Sequence, residues 1–343
     1  MIKEFFEWEL IAVFGSGLLT GLLIDLIKSP FSRAFEYAFA RGMRWWNMRG
    51  TLEYQPETDG FFTINRWSPE RELTEAQHEI RIGDDRPKPE LIEPELLAEL
   101  SRNYFNAGKQ GPICYLTSYQ IDHKESLPGE KFIVQVHPCD YSEHLATYEL
   151  LSNNSELRAR AKKALGNDIE GYISRACPAN VTLNIIVLSE ERFLAIKRSQ
   201  VVETAKNQWT IGACETMMIP DGSLPGQPET LFSFARRALR EELNLLPDQY
   251  GDIHFTWFGM SAETLGALFI AIVRIKKISE GEAIARAINS HSNFESTDFK
   301  WLKLSSKQLR NYILDRRSSL TKYSWISFAK LSMQEILRYK PFL

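Results

Sequence analysis

The sequence predicts a mixed α/β (α+β) protein carried on one N-terminal membrane helix. Three observations predict it. An apolar run lies near the N-terminus, strand-like and helical stretches interleave from about residue 50 onward, and a helix near residue 240 carries paired glutamates.

The apolar run is Leu10 to Ile27. As a helix it reaches roughly 27 Å, close to the thickness of a bilayer's hydrocarbon core. Its one ionisable residue, Asp25, sits a turn from the end, within reach of interfacial water. Lys3, Glu4, Glu7 and Glu9 precede it; Lys28, Arg33, Arg41, Arg44 and Arg49 come after, against a single Glu36. The positive-inside rule then puts the N-terminus outside and the rest in the cytoplasm, a single-pass topology of a bacterial inner membrane. An acidic start and a distant small-residue motif at Ala38–Ala40 argue against a cleaved signal peptide. Gly17 and Gly21 are four apart and form a small-residue stripe for helix association, hence a homo-oligomer through the membrane helix.

Phe31 to Trp46 mixes aromatics with arginines and reads as a helix at the headgroup level. Residues 1–48 are therefore assigned to the anchor and juxtamembrane helix. The whole chain is 343 residues, 25% charged, with net charge −3. It has neither the basic bias of a nucleic-acid-polymer binder nor a disordered composition. Cys114, Cys139, Cys177 and Cys214 make no CxxC pair and fit reduced thiols. His137 and Cys139 share a side if extended, but no second pair makes them a metal site.

Residues 49–177 form a β-rich middle segment. Gly60–Ile64, His78–Ile82, Pro112–Ile121 and Lys131–His137 carry β-branched and aromatic residues at short range. Asp84–Pro94 holds three prolines and reads as a loop; helices are expected at Glu95–Asn106 and, as a pair, after Tyr141. No chemical motif stands out in this segment, which is either a separate module or an N-terminal elaboration of the C-terminal domain.

Residues 178–343 interleave strand and helix. Val181–Leu188 (VTLNIIVL) is a mostly apolar run, hence a buried strand. A turn at Ser189–Arg192 returns the chain through Phe193–Arg198. After Trp209 a loop passes Gly212 and Gly222 to Glu229, and a helix then runs to Leu243. Strands are expected at His254–Phe258, Leu268–Ile275 and Phe299–Leu304. Helices are expected at Glu280–Asn289, Ser306–Asp315 and Tyr323–Tyr339.

In the helix after Glu229, positions 238, 241 and 242 share one face, where carboxylates gather around a hard cation. Leu231, Phe234, Leu239 and Leu243 form the opposite, buried face. Arg237 and Glu241 are an i, i+4 pair. Glu229, seven further residues and then Arg237 to Leu245 (RALREELNL) resemble the Nudix box. The resemblance covers roughly residues 178–340. It implies an α-β-α sandwich in which Glu241 and Glu242 bind a divalent metal, Mg²⁺. Arg237 then braces a carboxylate and Glu229 completes the acidic rim. Three departures weaken catalysis. Ala238 replaces the first helical glutamate, Asn244 replaces the terminal glycine, and position 223 is serine where the pattern has glycine. Glu263, Glu282, Glu295 and Asp298 are the acids available as a replacement base.

Anchor, middle segment and degenerate Nudix helix together resemble the transmembrane Nudix effectors associated with CD-NTases in cyclic-oligonucleotide-based antiphage signalling. That resemblance implies a lipid membrane and a cyclic nucleotide as partners. It also implies disruption of the inner membrane as the outcome. The alternative is a membrane-tethered, Mg²⁺-dependent Nudix pyrophosphohydrolase of nucleoside diphosphate derivatives.

Overall fold

A computed structural model of the chain describes residues 61–67, 72–83, 89–122, 131–173, 179–190, 192–202, 206–219, 229–261 and 266–303. The expected span at 10–27, its Gly17 and Gly21, the juxtamembrane helix and the two C-terminal helices lie outside them. Among the described residues no helix is long and apolar enough to cross a membrane.

In chain order the strands before residue 178 are β1 (Phe61–Arg66), β2 (His78–Ile82), β3 (Pro112–Asp122) and β4 (Lys131–Asp140). Helix α1 (Pro94–Asn106) precedes β3, and α2 (Tyr141–Asn153) and α3 (Ser155–Asn167) come after β4. Pro94 opens α1 at a position whose backbone N–H would be unsatisfied anyway. The Asp140 and Asn154 side chains cap α2 and α3 by accepting from Ser142 N and Leu157 N, each at 2.9 Å.

Beyond residue 178 come β5 (Ala179–Ser189), β6 (Arg192–Arg198), β7 (Trp209–Ile211) and β8 (Ala213–Thr216). Helix α4 (Leu231–Leu243), β9 (His254–Ser261), β10 (Ala267–Arg274), α5 (Glu280–Ile288) and β11 (Ser296–Lys303) complete the order. The sequence reads a loop after Trp209, whereas β7 and β8 are strands. Each is too short to show a period, and each is made by its partner: β7 pairs with β6, and β8 with β5. Gly212 joins them at φ +56, where a Cβ would stand 1.9 Å from the Ile185 carbonyl oxygen. Only glycine fits that approach.

β5 is the axis of the sheet. Ten of its eleven residues are buried, Asn180, Thr182 and Asn184 among them, so the strand is covered on both faces. It runs parallel to β10, Val181 opposite Ala267 through Leu188 opposite Arg274, and antiparallel to β8. β10 in turn pairs with β9, and β9 with β1. At its other end β5 meets β3 through Tyr115 and Asn180, and β4 and β2 continue the sheet beyond β3. The middle segment thus contributes strands at both ends of the path β1-β9-β10-β5-β3-β4-β2. It is an elaboration of one large mixed sheet.

An aromatic cluster welds the two sequence segments. Phe258 stacks on Phe269 at 4.2 Å, Phe132 of β4 meets Phe258 edge-on at 5.4 Å, and Trp67 meets Phe132 at 5.3 Å. A turn before β2 also grips α4. Glu75 takes both guanidinium nitrogens of Arg236, and the Leu231 N–H donates to His78 Nε2 at 3.2 Å. Because His78 Nδ1 lies 3.2 Å from the Thr74 carbonyl, the neutral ring donates there and accepts from Leu231.

Candidate functional site

The site is built on α4. Thr230 caps it, accepting from Ser233 N at 3.0 Å, and Asn244 ends it in the left-handed conformation at φ 51. Leu231, Phe234, Leu239 and Leu243 are buried as the sequence pattern requires. Ala238 is buried with them at 0% exposure, so position 238 is part of the core packing rather than open to a ligand.

Arg237 collects acids on one flank of the helix. Its Nε donates to Glu229 Oε1 at 2.8 Å, and its terminal nitrogens donate to Glu241 Oε2 at 2.8 Å and to the Thr216 carbonyl at 2.8 Å. Glu229, 2% exposed in its side chain, also accepts from the same guanidinium at 3.2 Å and from Met218 N at 3.4 Å. Burial raises the Glu229 carboxyl and Arg237 opposes that rise. Burial alone would lower Arg237, but Glu229, Glu215 and Glu241 together hold it above its ordinary value.

Contrary to the expectation that 238, 241 and 242 share one face, Ala238 is buried, Glu241 pairs with Arg237 and Glu242 borders a separate cleft, because consecutive helical residues do not face the same way. That cleft, of about 690 Å³, is shared with Glu215 of β8, Glu295, Arg198 and Ser292. Burial, followed by the charges of Glu215 and Glu295, pushes the Glu242 carboxyl well above the usual range, with Arg198 and Ser292 opposing. Glu215 is pushed up to about 7, chiefly by burial, with Arg237 3.8 Å away offsetting part of the rise. Arg198 lies 3.4 Å from Glu295. Its Nε is buried with no hydrogen-bond partner among the described residues.

The carboxylates are therefore sorted: Glu229 and Glu241 accept hydrogen bonds from Arg237, while Glu215, 3.8 Å from Arg237, and Glu242 border the cleft. Among the described residues no three His, Cys, Asp or Glu side chains form a ready metal cluster. Mg²⁺, however, is commonly held by one or two carboxylates together with waters and substrate phosphates. Glu215 and Glu242 border one cleft and fit that mode: a divalent cation there would stabilise the charged forms that burial disfavours.

Sequence reasoning singles out Glu229, Arg237, Glu241 and Glu242, and three of these four meet through Arg237. It misses Glu215 and Arg198. The available signal was the strand alternation on either side of Gly212, which is legible only once β7 and β8 are known to be strands. Of the four spare acids, Glu295 reaches the cleft, Glu282 pairs with Arg286, Asp298 pairs with Lys300, and Glu263 lies outside the described residues. His137 and Cys139 stay on β4, with His137 Nδ1 3.3 Å from the Gly83 carbonyl. Cys214 lines the cleft, but burial pushes its thiol to about 12, as it does for Cys114, so neither is a thiolate nucleophile.

Comparison of the sequence with protein-family profiles and with curated proteins finds no match. Among solved structures the chain is similar to DR0079 from Deinococcus radiodurans, at 12% identity and TM-score 0.30 over 43% of this chain and 78% of that one. It is also similar to a Nudix hydrolase from Nitrosomonas europaea (12% identity, TM-score 0.28, 48% and 90%). A third is the MutT protein from Methanosarcina mazei Go1 (14%, TM-score 0.27, 44% and 91%).

Proposed function

We propose that residues 178–343 form a Nudix-like domain that binds a nucleotide and has little or no hydrolytic activity. The observation that carries this reading is Ala238. A Nudix helix places its first glutamate there, and here the position holds a fully buried methyl group in the core. Arg237 further engages Glu229 and Glu241, which reduces the carboxylates free to act as a base. What remains is a roomy cleft, within the size range of ligand pockets, with two crowded acids and an arginine whose Nε–H lacks an acceptor among the described residues.

Glu215 and Glu242 would hold Mg²⁺, which when bound supplies charge neutralisation for phosphate oxygens. Arg198 Nε–H supplies a donor to the same phosphate. Glu229, Arg237 and Glu241 hold α4 against β8 and keep Glu242 aimed at the cleft. The anchor at 10–27 makes this domain the cytoplasmic receptor of a membrane effector. On this reading it senses a cyclic nucleotide in antiphage defence, assembles through Gly17 and Gly21, and disrupts the inner membrane.

The test uses bacterial cells expressing the full chain and supplied with cyclic dinucleotides. Dye uptake is expected with at least one of them and is lost in the Gly17→Leu/Gly21→Leu variant, while nucleotide binding persists. No uptake with any cyclic nucleotide removes the effector reading. A second reading, a membrane-tethered pyrophosphohydrolase, is favoured by the retained Arg237, Glu241 and Glu242, with Glu215 beside Glu242 at the cleft. Robust Mg²⁺-dependent release of phosphate products, abolished by Glu242→Gln, would establish it instead.

A further inference from the structure

The middle segment contributes none of the acids or the arginine assigned to phosphate and metal, yet it supplies a wall of the same cleft. Tyr141, His144 and Tyr148 fall at i, i+3 and i+7 on α2, one face of a helix, and all three line the cleft with Glu215, Glu242 and Arg198. The Tyr141 and His144 rings lie 5.8 Å apart and tilted by 33°. We propose that this face of α2 is a nucleobase-binding wall, with Arg198 receiving the phosphate attached to that base.

Two independent features support the assignment. The wall is aromatic, and planar bases stack on aromatic side chains whatever their sequence. Desolvation holds His144 down to about 4, so at neutral pH the ring is uncharged, with one N–H donor and one nitrogen acceptor for a base edge. The other feature is the buried Arg198 Nε–H, which has no acceptor among the described residues, while a terminal nitrogen of the same guanidinium donates to Glu295 Oε2 at the long distance of 3.4 Å. A partly buried guanidinium with an unused donor is suited to a phosphate oxygen. The proposal rests on the reading that this cleft binds a nucleotide. It adds that selectivity among bases comes from α2, outside the segment that resembles a Nudix domain.

The experiment measures binding to full-length protein in detergent micelles with MgCl₂. The probes are ADP, GDP, c-di-AMP, c-di-GMP and 3′,3′-cGAMP, with inorganic pyrophosphate as the base-free comparison. At least one base-bearing probe is expected to bind about 10-fold or more tighter than pyrophosphate. Tyr141→Leu/Tyr148→Leu should erase that advantage and leave pyrophosphate binding intact, whereas Tyr148→Phe retains it. Arg198→Met should weaken nucleotides and pyrophosphate alike. If the leucine variant binds pyrophosphate and nucleotides as the unmutated protein does, the base wall is overturned while the phosphate-binding reading stands. If the unmutated protein binds no probe, both fall. Photocrosslinking of 8-azido-ADP, mapped by mass spectrometry, needs no variant to fold. Label within 141–153 supports the wall, and label confined to other segments overturns it.

Discussion

The two flanks of α4 hold acids in opposite conditions. On one flank Glu229 and Glu241 share Arg237, each through a charge-assisted hydrogen bond of 2.8 Å. On the other, Glu215 and Glu242 border one cleft with only partial relief from Arg237 and Arg198, and burial raises both carboxyls. Desolvation raises Glu229 on the first flank as it raises both acids on the second, and what differs is whether a guanidinium donates hydrogen bonds to the carboxylate. A compensated buried network fixes structure. An uncompensated pair stores a preference for a proton or a cation, and in this molecule it borders the cleft.

The largest expected effect would come from breaking the compensated flank. Arg237→Met strands Glu229, Glu241 and the Thr216 carbonyl, and should destabilise the fold by about 3–5 kcal/mol in denaturant unfolding. A loss below about 1 kcal/mol, the worth of an exposed pair, would mean that the two flanks do not differ as described. Next is Ala238→Glu, which places the glutamate of the Nudix pattern at a position of 0% exposure. Overpacking alone should cost about 1–3 kcal/mol. A variant as stable as the parent, with new Mg²⁺-dependent hydrolysis, would show that position 238 opens to the cleft.

His78→Phe tests how α4 is held at its start. Losing the acceptor for Leu231 N–H should cost about 1 kcal/mol at pH 7.5. Burial lowers the His78 pKa, so its neutral form is favoured in the folded state. That contribution is present above the ordinary histidine value and is lost as pH falls. The stability gap between the parent and His78→Phe should therefore narrow between pH 7 and pH 5, and a constant gap would exclude the neutral-ring acceptor.

The smallest effect concerns the uncompensated pair. Glu215 titrates near 7 in the folded chain, above the ordinary carboxylate value. Its contribution is present at low pH and is lost as pH rises toward 7 and beyond. The metal-free parent should thus lose melting temperature between pH 5 and pH 8 relative to Glu215→Gln/Glu242→Gln. MgCl₂ should restore it at pH 8 and do little at pH 5, where protons already occupy the site. An equal response to MgCl₂ in the double variant would place cation binding elsewhere.

Much of this molecule is set by local spacing. The mostly apolar run Val181–Leu188 determined a buried strand. The i, i+4 spacing determined that Arg237 reaches Glu241, and Asn244 determined a left-handed helix end. These are properties of a helix or strand, fixed by a few neighbouring residues. Which acids meet across the cleft was decided only by the tertiary structure. Glu215 lies on a four-residue strand that exists because β5 offers it a partner, and Glu295 and Arg198 converge where β6 pairs with β11. The aromatic face of α2 reaches the same cleft because β3 joins β5 at Tyr115 and Asn180, and His78 meets α4 across 153 residues of sequence. Desolvation and charge crowding depend on what surrounds a side chain, and for these residues the surroundings come from strand pairing between distant segments.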